Sequence, residues 1–266
     1  MLGVCLPGGG AKGAFAAGVI YGLYEKGVKF DIVTGTSVGA VNGYFIYTEN
    51  VRKLKELWIN IDDNELVNQK ICGKVVDNSQ LINNLNNLDE NIEYNTDLYV
   101  NYVNVKDNKL REIVTNVKGY NKQLALSYIK YSSLLPCKVD EEVSFEQFIN
   151  KFDSKEVFDT FKQDVLNSEY EGYNLDGGIL NNNLLSPFIY KKVNKLFIIA
   201  LRKGYVIPEY ILEHYNKEDI VVIEPDTDMK PNDTLRFEKE FCKDLFYEGY
   251  KKATNDERNY WKYQKV

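Results

Sequence analysis

The run Phe30-Asp-Ile-Val-Thr-Gly-Thr-Ser-Val-Gly-Ala-Val-Asn-Gly-Tyr-Phe-Ile-Tyr47 divides into three pieces. Phe30 to Thr34 reads as a buried strand, Gly35 to Gly39 as a G-x-S-x-G turn, and Ser37 to Tyr47 as a helix. A turn that passes directly from strand to helix is so tight that the residues two before and two after the serine must lack bulk, hence Gly35 and Gly39. Ser37 then projects at the carboxyl edge of the sheet, on a helix N-terminus whose partial positive charge favours a developing anion. It is the candidate nucleophile. A serine serving only as a helix cap would not require glycine on both sides.

Working outward, Leu2 to Leu6 reads as a buried strand, Gly8 to Gly10 as a loop, and Ala11 to Lys26 as a helix closed by Gly27 in the manner of a C-terminal glycine cap. Strand–helix–strand–helix at this density implies a βαβ unit, and the expected fold is a three-layer α/β/α arrangement with a mainly parallel central sheet. In such a unit the glycine loop and Ser37 leave the sheet at the same edge. Gly8-Gly9-Gly10-Ala11-Lys12-Gly13 fits two chemistries. A dinucleotide site would also need an acidic residue at the end of the next strand, but Asp31 stands at its start. Alternatively, consecutive glycines aim several backbone N–H groups at one point and stabilise the oxyanion of an acyl intermediate, one such donor being worth roughly 3 kcal/mol of barrier. A nearby nucleophilic serine favours this second use, because a dinucleotide site has no need of it.

A general base must accompany Ser37. The single histidine, His214, is one candidate, but it falls in a surface helix where a lone histidine is more often solvated than catalytic. Asp176-Gly177-Gly178 is the one Asp-Gly step in the chain. As a plain turn it is unremarkable. As a functional loop, its glycines would let Asp176 approach the nucleophile and take its proton, helped by burial that raises the carboxylate's pKa.

Elsewhere, Asn50 to Ile61 carries Val51, Leu54, Leu57 and Trp58 at helical spacing, and Asp77-Asn-Ser79 precedes a second amphipathic run. Tyr94 to Val117 reads as a hairpin around Asp107-Asn108, and Gln123 to Leu135 as a helix. Lys138 to Tyr173 is charged and helical and is expected to be an inserted cap. Leu196 to Leu201 and Ile220 to Glu224 read as strands and Thr234 to Ala253 as a long helix. No linker or repeat divides residues 1–266, so one domain is expected.

Composition narrows the function. A net charge of −6 disfavours nucleic-acid binding. Cys5, Cys72, Cys137 and Cys242 lie at no zinc or redox spacing, and no calcium-loop pattern occurs, so neither metal nor cofactor is expected. The opening residues lack the basic region of a signal peptide, and no run approaches the roughly 20 apolar residues of a membrane span, so a cytoplasmic location is expected. Arg258 to Tyr263 mixes cations with aromatics, which suits a solvated helix end or transient membrane-surface contact.

Gly-Gly-Gly-Ala-Lys-Gly at 8–13, Gly-Thr-Ser-Val-Gly at 35–39 and Asp-Gly-Gly at 176–178, in this order, resemble the patatin-like phospholipases. Leu54 to Ile61, Asp77 to Leu81, Asp176 to Asn183 and Phe237 to Tyr250 extend the likeness over most of the chain. The resemblance implies a Ser37–Asp176 dyad without histidine. In the oxyanion hole Gly9 and Gly10 would supply N–H groups and Gly8 would shape the turn. Lys12 would take the basic position of the loop ahead of Gly13. It implies hydrolysis of lipid or other acyl esters through an acyl-enzyme, with acyl transfer to an alcohol as the alternative. Segment 138–173 departs from the family pattern, where a short glycine-containing stretch is usual.

Overall fold

The structure, a computed structural model, describes residues 1–61, 71–72, 74–89, 95–138 and 153–255. Its strands, in chain order, are β1 (Leu2–Leu6), β2 (Ile32–Thr36), β3 (Ile71–Cys72), β4 (Val75–Val76), β5 (Asp97–Lys106), β6 (Lys109–Asn116), β7 (Asn174–Asp176), β8 (Lys195–Ile199) and β9 (Ile220–Ile223). Its helices are α1 (Gly13–Glu25), α2 (Val38–Tyr47), α3 (Val51–Ile59), α4 (Ser79–Asn86), α5 (Lys122–Ser132), α6 (Ser154–Leu166), α7 (Pro187–Tyr190), α8 (Glu209–Leu212) and α9 (Lys239–Thr254).

Seven strands form one mixed sheet in the order β6-β5-β2-β1-β8-β9, with β7 also paired to β5, while β3 and β4 form a separate antiparallel pair. The pairs from β5 through β2, β1 and β8 to β9 are parallel; β6 and β7 run antiparallel to β5. The parallel strands are short apolar runs because both faces are covered. Leu2, Val4 and Leu6 of β1, with Phe197 and Ile199 of β8, face one helical layer; Cys5, Leu196 and Ile198 face the other. The layers are unequal. The first holds α1 to α5 and α9, with Leu23, Tyr44, Leu54 and Phe246 buried among them. Among the described residues the second contains the short α7 and α8, contributing Phe188 and Ile211.

Several elements are explained residue by residue. Gly27, at φ 72°, closes α1: its N–H donates to the Tyr24 carbonyl and the Val28 N–H to that of Leu23. Asp107 and Asn108, at φ 55° and 54°, form the expected tight turn between β5 and β6. Asp77 precedes the N-cap Asn78 of α4, its Oδ1 accepting from both the amide and the hydroxyl of Ser79, the first helical residue.

One expectation needs correction. The last long helix begins at Lys239, not Thr234, because residues 231–235 form a separate 3-10 turn opened by Pro231 and fixed by the Asp233 carboxylate accepting from the Lys230 N–H. Within the segment expected to be an inserted cap, residues 139–152 lie outside the described residues. The remainder of that segment carries α6, capped by Asp153, with Phe161 and Val165 packed on Val105, Tyr170 and Leu175 in a small core of its own. Arg258 to Tyr263 also lie outside the described residues.

Candidate active site

The positions of Ser37 and Asp176 are set by the way β5 is flanked. Along one side of β5, β2 pairs in parallel up to Thr36 opposite Asn101, and β7 takes over in the antiparallel sense with Asp176 opposite Tyr102. The carboxyl ends of β2 and β7 therefore meet head to head. The residue after β2 is Ser37, and the last residue of β7 is Asp176. The Ser37 hydroxyl donates to Asp176 Oδ2 at 2.6 Å. The sequence marks Asp176-Gly177 as a turn or loop and gives no sign of the three-residue strand that delivers the carboxylate.

Ser37 has φ 54° and ψ −126°, a conformation that strains any residue with a side chain. Its neighbours hold it there. A Cβ at Gly39 would stand 2.1 Å from the Leu6 carbonyl oxygen, so only glycine allows α2 to start this close to β1. The Ser37 N–H donates to the Oγ of the fully buried Ser132 at the end of α5, at 2.9 Å.

The glycine loop leaves β1 beside this elbow, as the pairing of Leu6 with Gly35 requires. Gly10, at φ 54°, packs so closely that a Cβ would fall 1.9 Å from the Thr234 carbonyl oxygen. Asn182 Nδ2 donates to the Gly8 carbonyl at 3.1 Å, which ties this loop to the segment carrying Asp176. At the far end of the loop, Asn42 donates to the Gly13 carbonyl at 3.0 Å and accepts from the Trp58 indole N–H at 2.9 Å. Among the described residues no acceptor meets the amide hydrogens of Gly9 and Gly10. Lys12 turns toward residues 230–233, its ammonium donating to the Lys230 carbonyl at 3.4 Å. Burial lowers its pKa, and the Asp233 carboxylate opposes that shift.

Asp176 is buried, 6 % exposed. Removal from water pushes its pKa up to about 6, opposed by the hydrogen bonds from the Ser37 hydroxyl and from the Gly178 N–H, which donates to Oδ1 at 2.7 Å. Gly177 is pressed against Asn101, and Gly178 lies against Asn182.

Ser37 and Asp176 open onto a cavity of about 420 Å3. Val41, Leu57, Trp58, Leu81, Leu135 and Phe237 supply much of its apolar wall. Trp58 stacks on Phe237 with ring centroids 6.3 Å apart. The turn at Thr234 and Leu235, expected as helix, forms part of this wall.

Other residues singled out in the sequence lie elsewhere. His214 is exposed and lines a separate cleft with Lys192, Asn194 and Asp219. Asp31 Oδ2 accepts from the Leu2 N–H at the amino end of the sheet, away from the glycine loop, where it cannot serve a ribose. Conversely, Asn42, Asn101, Ser132 and Asn182 hold the site together, yet no motif marks them. The hydrogen bonds that tie them to the serine elbow, the glycine loop and the segment after Asp176 span 29 to 174 positions in the chain, which no local pattern can show.

A mixed α/β sheet with a strained serine at the carboxyl end of a parallel strand defines the class. Residues 4–189 match the family model of the patatin-like phospholipases. The chain belongs to that family, a family of lipid hydrolases. It is 52% identical to lysophospholipase nte1 of Aspergillus terreus over 42 residues, 16% of this chain and 3% of that protein. It is 50% identical over 42 residues to a patatin-like phospholipase domain-containing protein of Caenorhabditis elegans, again 16% of this chain and 3% of the relative. The chain thus matches only a small part of these curated relatives. Among solved structures it is similar to VipD of Legionella pneumophila (13% identity, TM-score 0.46, covering 95% of this chain and 65% of that one). It is also similar to the type III effector ExoU (15% identity, TM-score 0.44, covering 95% and 52%). No helix among the described residues is long and apolar enough to cross a membrane.

Proposed function

We propose that this chain hydrolyses carboxylic esters of lipids in the phospholipase A or lysophospholipase sense, with Ser37 as nucleophile and Asp176 as the only general base. The observation that carries this reading is the 2.6 Å hydrogen bond from Ser37 to a buried carboxylate at an apolar cavity.

As the Ser37 oxygen attacks the ester carbonyl carbon, its proton passes to Asp176 Oδ2. The carbonyl oxygen becomes an oxyanion, stabilised by the N–H groups of Gly9 and Gly10 in the loop shaped by Gly8. Collapse of this intermediate breaks the bond to the alcohol, which leaves with the proton held by Asp176. Water then attacks the acyl-enzyme, giving a proton to Asp176. The fatty acid departs, and the proton returns to Ser37. A carboxylate is a weak base for a serine hydroxyl. Burial that lifts Asp176 to about 6 brings its basicity nearer to neutral pH and so favours the transfer. Lys12 supports the loop through residues 230–233 and does not act as a base. The apolar wall around Trp58 and Phe237 accepts the acyl chain and excludes water from the ester.

The test is turnover of p-nitrophenyl acyl esters and of phospholipid in mixed micelles. Ser37→Ala and Asp176→Asn should each abolish both activities. Substantial hydrolysis by either variant refutes the dyad.

A further inference from the structure

Where β2 and β7 meet, one side chain contacts the neighbours of both members of the dyad. Asn101 of β5 is fully buried. Its Oδ1 accepts from the hydroxyl of Thr36, the residue before Ser37, at 2.8 Å. Its Nδ2 donates to the Asn181 carbonyl at 2.9 Å and to Glu112 Oε1 at 2.9 Å. Gly177, the residue after Asp176, packs so tightly on Asn101 that a Cβ there would lie 2.5 Å from both the backbone oxygen and Oδ1 of Asn101. Glu112 Oε1 also accepts from Asn181 Nδ2 at 3.0 Å, and the Thr36 hydroxyl lies 3.4 Å from the Asn181 carbonyl.

We propose that Asn101, with Thr36 and Glu112, is a positioning strut that sets the separation of the Ser37 hydroxyl from the Asp176 carboxylate. This rests on the dyad reading above. No backbone hydrogen bond joins β2 to β7, since each is paired with β5. β5 sets the register of both strands, and side chains link their ends across the junction itself. The strain at Ser37 makes this support necessary, because a residue held at φ 54° relaxes unless its surroundings over-determine it. Ser132 holds the Ser37 amide from one side, and Thr36 on Asn101 holds the preceding residue from the other. Glu112 completes the strut by accepting from two amide groups at once, so that Asn101 cannot rotate without giving up its hydrogen bonds to both Glu112 and Thr36.

The test compares Thr36→Val, Thr36→Ser and Glu112→Ala with the natural chain, each normalised to the fraction of enzyme titrated by a fluorophosphonate. Thr36→Val removes the hydroxyl at nearly constant volume. It should lower kcat by about 10- to 100-fold with KM little changed, as expected for a misplaced reacting group. Because the Ser37 hydroxyl helps to lower the Asp176 pKa, a loosened contact should also move the acidic limb of the pH–rate profile upward from about 6. Thr36→Ser restores the hydroxyl and should restore both kcat and the limb. Glu112 is solvent-exposed, so Glu112→Ala tests the strut even if Thr36→Val does not fold; it should lower kcat with the folded fraction unchanged. The inference is overturned if Thr36→Val and Glu112→Ala keep the natural kcat and pH profile, or if Thr36→Ser is as impaired as Thr36→Val. If Ser37→Ala retains activity, the dyad reading itself is wrong. A dead Ser37→Ala beside a fully active Thr36→Val refutes the strut alone.

Discussion

Replacing Asp176 by asparagine should destroy activity and strengthen the fold at the same time. The carboxylate's ordinary pKa of 3.8 is raised to about 6, so folding works against the ionised form. Each tenfold change in proton affinity is worth about 1.4 kcal/mol, and the difference amounts to about 3 kcal/mol. The direction is set by proton uptake. Between pH 3.8 and about 6 the folded chain binds more protons here than the unfolded chain. Stability contributed by this group is therefore full below 3.8, falls as pH rises through that interval, and is lost above it. Asparagine carries no charge and can keep both contacts, its Oδ1 accepting from the Gly178 N–H and its Nδ2 donating to the Ser37 oxygen. Urea unfolding should show Asp176→Asn to be more stable by about 1–3 kcal/mol at pH 8 with an unchanged m-value, the difference closing by about pH 4. An advantage of the same size at every pH would refute the reasoning, as would a loss of stability at pH 8.

The geometry carries three further outcomes. With natural enzyme, kcat/KM should rise tenfold per pH unit below about 6 and level above it, since only ionised Asp176 accepts the proton; a second limb that His214→Ala removes would contradict this. His214→Ala alone should leave turnover within about twofold, checked with p-nitrophenyl esters, because His214 sits in a different cleft. Ser132→Ala leaves the part-buried Ser37 N–H without its acceptor, which should cost about 1 kcal/mol of stability in urea unfolding and lower kcat as the elbow relaxes.

Much of the site is legible in the sequence because its chemistry is local. G-x-S-x-G between strand and helix announces a tight elbow at Ser37, because the close approach of Gly39 to the Leu6 carbonyl leaves no alternative to glycine there. The apolar runs of β1, β8 and β9 announce a sheet covered on both faces. Asp107-Asn108 announces its own turn by tolerating positive φ. The features that escape a sequence reading are set by distant partners. β7 is too short to show a period, and exists because β5 extends beyond β2 and offers a free flank. Thr234 and Leu235 have the composition of a helix but end a 3-10 turn that packs against Gly10. Asn101 and Ser132 look like ordinary polar residues until β5 and α5 bring them against Thr36 and the Ser37 amide. Thr36 stands inside the G-x-S-x-G motif itself, but its partner lies 65 positions away.

A fluorophosphonate at low excess reacts fastest with a hydroxyl whose proton is being withdrawn, so it reports on Ser37 and Asp176 together. Intact-mass spectrometry followed by peptide mapping should find one adduct per chain, on Ser37, and none after Asp176→Asn. An adduct on any other residue, or undiminished labelling of Ser37 once Asp176 is gone, would contradict the account.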